Sequence, residues 1–75
     1  MVKELGTTAQ YNKKRFGLIA IEKGFISDDE LITALMLQVK KEIKEGRHKM
    51  IGEILLDMGV MSGKQVEEVL AEMSR

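Results

Sequence analysis

The stretch from Arg15 to Gln38, RFGLIAIEKGFISDDELITALMLQ, recurs from Met50 to Met73 as MIGEILLDMGVMSGKQVEEVLAEM, at a constant shift of 35 positions and without a gap. Under that shift Gly17 falls on Gly52, Gly24 on Gly59, Ser27 on Ser62, Leu31 on Val66 and Leu35 on Leu70. A repeat of this length is one supersecondary unit, too small to bury its apolar face alone, so each copy is expected to pack against the other. Seventy-five residues leave room for one small domain and no second one.

Each copy carries the punctuation of a short helix, a tight stop and a longer helix. Gly24 and Gly59 stand where a left-handed residue ends a helix without a Cβ penalty. Ser27 then offers its hydroxyl to the free amides of the next helix, and Glu30, three residues on, reaches back to the Ser27 amide as a capping box. Ile26 and Leu31 are spaced as a hydrophobic staple, and Asp28 and Asp29 sit where the helix dipole favours negative charge. Ser62, Gln65, Met61 and Val66 repeat these devices. The expected helices run from Tyr11 to Lys23, Asp28 to about Glu45, about Lys49 to Met58, and Gly63 to Ser74, with Gly46 closing the long one. Residues 1–10 have no hydrophobic period and read as a flexible arm, leaving 11–75 as a single helical domain. No stretch alternates like a strand and there is no Pro. The expectation is an all-α fold of four helices in two repeated helix-turn-helix pairs, 15–38 and 50–73, on one core.

Helix faces sharpen the surface expectations. At 100° per residue Phe16, Ile19 and Ala20 share one side of the first helix while Leu18 and Ile21 lie opposite. Leu31, Ile32, Ala34, Leu35, Met36, Val39 and Ile43 cover about 200° of the long helix, more than one neighbour can bury. The last helix has a single seam of Val66, Val69, Leu70 and Met73. Apolar surface on Leu18, Ile21, Met36 and Leu37 is therefore expected to remain for a protein partner, and six Met fill either core gaps or an adaptable partner surface.

Charge sums to zero but alternates along the chain: 1–15 carry +4 and −1, 16–35 carry +1 and −4, 36–50 carry +5 and −2, and 51–75 carry +2 and −5. The arm and the connector between repeats are basic, while both repeats are acidic. With no Cys there is no disulfide framework or thiolate metal site, and without a signal-peptide pattern at the start a cytoplasmic location is expected. The longest apolar runs, such as Leu18 to Ile21, are four residues and far too short to span a bilayer. His48 is the sole His and stands among cations, a helix-boundary residue with no Cys, Ser or second His beside it. No metal cluster, nucleophile-base pair, P-loop or dinucleotide glycine pattern is present, so neither an enzyme, a metal nor a cofactor is expected.

Three positions admit a binding role beside a structural one. Gly17 and Gly52 sit inside short helices, where Gly costs about 1 kcal/mol relative to Ala, so a requirement recurs: close helix packing or backbone approach to a ligand. Gln38 lies inside the apolar arc of its helix, while the second copy has Met73 there. Arg15 heads the first copy where Met50 heads the second, so any polar site is asymmetric.

Arg15-Phe16-Gly17, Leu31, Leu35 and Gln38, with ten residues between Ala20 and Leu31, resemble the Arg-Leu-Gly, Leu, Leu, Leu, Gln motif of the N-terminal domain of type II secretion and type IV pilus assembly ATPases. In that family the motif occurs twice, and some members bind cyclic di-GMP through it. The resemblance covers residues 15 to 73 and matches at Arg15, Gly17, Leu31, Leu35 and Gln38, then at Gly52, Leu55 and Leu70. Phe16 and Ala20 replace Leu in the first motif, and Met50 and Met73 replace Arg and Gln in the second. The resemblance implies a small non-enzymatic interaction or adaptor module; its alternative is a cyclic di-GMP receptor using Arg15, Phe16, Gly17, Leu31, Leu35, Gln38, Gly52 and Leu55. A DNA-binding helix-turn-helix protein ranks last, since both second helices would present carboxylates to phosphate.

Overall fold

The computed structural model describes residues 13–74, and the expected arm and the start of the first helix lie outside them. The described residues are all-α. They form α1 over 13–22, α2 over Asp28–Glu45, α3 over Ile51–Asp57 and α4 over Gly63–Met73.

The stops and starts follow the local chemistry. After α1, the Gly24 amide donates to the Ile21 carbonyl and the Phe25 amide to the Ala20 carbonyl; after α3, Gly59 donates to Leu56 and Val60 to Leu55. Both are Schellman closures with the glycine left-handed, at φ 78° and 79°. The Glu30 amide donates to Ser27 Oγ at 3.1 Å, and the Ser27 amide to Glu30 Oε1 at 2.9 Å. Gln65 and Ser62 repeat the exchange at 3.1 and 3.0 Å. The α3 start differs from expectation: it begins at Ile51, two residues later than Lys49. Met50 is its N-cap and has no side-chain acceptor for the free amides, so only the reverse half of the box forms, the Met50 amide donating to Glu53 Oε1 at 3.2 Å.

One core joins all four helices. Phe16 and Ala20 of α1, Ala34 of α2, Ile51, Ile54 and Leu55 of α3 and Val69 of α4 are buried together with Ile26 and Met61, the residues just before the two serine caps. α3 packs on both α2 and α4. The two motif glycines fill close contacts: a Cβ on Gly17 would lie 2.5 Å from Leu31 Cδ2, and one on Gly52 would lie 3.2 Å from both Phe16 Cζ and Val66 Cγ1. No described helix is long and apolar enough to cross a membrane.

Candidate functional site

A cleft of about 310 Å³ opens where α1, the middle of α2, α3 and α4 meet. Phe16, Met50, Ile51, Gly52, Val66, Leu70 and Met73 give it its apolar lining, and Lys13, His48 and Glu53 supply the charged and polar groups there. These positions meet because Gly52, lacking a side chain, lets Phe16 and Val66 close on the α3 backbone. Gln38 is the remaining lining residue and is 1% exposed. Its Nε2 donates to the Lys49 carbonyl at 2.7 Å, tying α2 to the residue before the α3 cap. Its Oε1 is buried and has no hydrogen-bond partner among the described residues. A buried amide oxygen in that state costs roughly 1 to 3 kcal/mol unless a donor reaches it.

The connector makes two polar side-chain contacts with the helices on either side. His48 Nδ1 is hydrogen-bonded to the Glu42 carboxylate, which this contact holds below its ordinary 4.5. Lys49 Nζ donates to Asp57 Oδ2 at 2.5 Å, and that hydrogen bond raises the lysine above its ordinary 10.5. Both contacts are on the surface, on the segment that carries His48 and Met50 to the cleft. No group of three or more acidic, His or Cys side chains among the described residues could hold a metal ion.

Of the eight ligand-binding candidates, the cleft takes Phe16, Gln38 and Gly52. Arg15 is exposed and lines a different depression with Lys14, Leu18, Ile19, Glu22 and Glu72, so the structure does not bring it to one pocket with Gln38. Gly17 is covered by Leu31. Leu31 and Leu35 are half-buried against the core, and Leu55 is wholly inside it. Of the partner-surface candidates, Leu18 and Met36 are exposed, whereas Ile21 and Leu37 pack partly against the core. Sequence reasoning passed over Met50, Leu70 and Met73 as lining residues, although the first and last stood out as the apolar replacements in the second motif. Comparison with models of known families, with curated proteins and with solved structures found no match.

Proposed function

We propose that this chain is a non-enzymatic interaction module, of the kind its sequence resembles at the N-terminus of secretion and pilus ATPases, and that the cleft receives apolar side chains from a protein partner. The observation that carries this reading is that Met50 and Met73, which stand where the motif has Arg and Gln, both line the same cleft. Exchanging a guanidinium and an amide for two thioethers removes the groups that would pair with phosphate or a base edge and leaves soft, rotatable walls. Walls of that sort adapt to aliphatic or aromatic side chains of a peptide. Among the described residues Gln38 Oε1 is the one buried side-chain acceptor without a partner, and an N–H could satisfy it.

Cyclic di-GMP is the second reading, favoured by that same acceptor. The two separate in one experiment on isotope-labelled protein. Peptides selected from a displayed random library should shift the amides of Phe16, Gly52, Leu70 and Met73 and lose affinity in Leu70→Asp, a substitution at a half-exposed position. Cyclic di-GMP should shift nothing. Failure to select any peptide that maps to the cleft overturns the interaction reading, and nucleotide shifts at Phe16, Gln38 and Gly52 that vanish in Gln38→Ala establish the receptor instead.

A further inference from the structure

Part of the apolar surface left open by the fold is regular. Ile32, Met36, Val39 and Ile43 follow at steps of four, three and four residues, the spacing of a coiled-coil seam. They are 54%, 58%, 50% and 77% exposed. At 100° per residue they fall within about 60° of arc, whereas Ala34 and Gln38, the buried residues of α2, lie on the other side. A shallow groove of about 360 Å³ accompanies the row, lined by Ile32, Leu35, Met36, Val39 and Lys40. Single exposed hydrophobes are ordinary, but a continuous row of four over three turns marks an interface.

We propose that a second copy of this chain covers the row, with the two α2 helices antiparallel. Charge along the helix selects both the partner and the direction. The first turn holds Asp28, Asp29 and Glu30. Toward the other end Lys40, Lys41, Lys44 and Arg47 outnumber Glu42 and Glu45. Antiparallel pairing lays the acidic start of each helix beside the basic end of the other and opposes the two helix dipoles, while parallel pairing sets acid on acid and base on base. Matching Met36 with Val39 of the second copy, and Ile32 with Ile43, places all four residues in successive layers. Gln38 and its cleft lie away from this row, so the dimer leaves both clefts open.

Sedimentation of the full chain over a concentration series up to about 1 mM, the weak end of the affinity scale, should reveal a species of twice the 8.5 kDa chain mass. Val39→Glu, or Ile43→Glu should the first fail to keep its helical circular dichroism, should return it to a monomer. Because the chain has no Cys, direction can be read from introduced thiols. A mixture of Ile32→Cys and Ile43→Cys chains should form a cross-linked dimer. Ile32→Cys alone should not, since the two copies of that position lie about 16 Å apart along an antiparallel pair at 1.5 Å per residue. A monomer at every concentration, a dimer indifferent to both Glu variants, or ready self-linking of Ile32→Cys would each overturn the proposal.

Discussion

At the scale of single residues, Gly17 and Gln38 carry the sharpest consequences. A methyl on Gly17 would meet both Leu31 Cδ atoms, at 2.5 and 2.7 Å. Overpacking of that kind costs typically about 1 to 3 kcal/mol, only partly offset by about 1 kcal/mol of helix propensity gained on leaving Gly. Gly17→Ala is expected to destabilise on balance, and adding Leu31→Ala should make the pair of substitutions less costly than their sum; urea denaturation of the four-member cycle measures it. Strict additivity would show that the glycine answers to something other than Leu31. Gln38→Met imitates the second copy's Met73. It gives up the hydrogen bond to the Lys49 carbonyl, worth about 1 kcal/mol, and removes an unpaired acceptor costing about 1 to 3 kcal/mol. Stability should hold or rise, and a loss beyond about 1.5 kcal/mol would mean that the Oε1 atom is satisfied in solution.

At the scale of helices and their ends, the two serine caps make equivalent exchanges with the third residue of their helices. Ser27→Ala and Ser62→Ala should each cost about 1 kcal/mol, seen as lowered urea midpoints at unchanged slope. The Met50 start of α3 has no such acceptor to lose, so Met50→Ser is expected to stabilise by a fraction of that amount. The connector predicts a pH dependence. The folded-state pKa of Glu42 is lowered, chiefly by the His48 hydrogen bond. Its contribution is therefore present above about pH 4.5 and lost as pH falls through the folded value. His48→Ala should raise the Glu42 midpoint in carboxyl-carbon NMR titrations and should cost stability at neutral pH but not at strongly acid pH. Lys49, raised by Asp57, works in the other direction: its contribution is complete below about 10.5 and fades as pH climbs through the folded value.

At the scale of the whole molecule, the fold is a single small core with little reserve, so deletions at its centre should weigh heavily. Leu55 is fully buried in α3, the helix that contacts both α2 and α4. Leu55→Ala should cost about 2 to 5 kcal/mol, enough to threaten a domain of this size, whereas Ile43→Ala on the open face of α2 should change monomer stability little. Thermal melts at low protein concentration test the contrast, and equal losses would mean that the open face is covered within the monomer.

What the sequence determined by itself is what neighbours along the chain decide. Helix starts at 28 and 63, the left-handed stops at Gly24 and Gly59 and the all-α class depend on hydrogen bonds reaching three to five residues, and those residue types are visible in order. The repeated glycines signalled a requirement, but packing and ligand contact both fit a bare helical position until Leu31, Phe16 and Val66 were seen to occupy the space. Arg15 and Gln38 share one motif in sequence, yet they point into separate depressions, because the direction of a side chain on α1 relative to α2 is set by how the helices cross and not by spacing along the chain. The cleft likewise combines Gln38 with residues from the other repeat, Met50 and Met73, which no local pattern joins. Only tertiary packing brings them together, since burying one small core requires each helix to spend its apolar faces on whichever neighbours the connections allow.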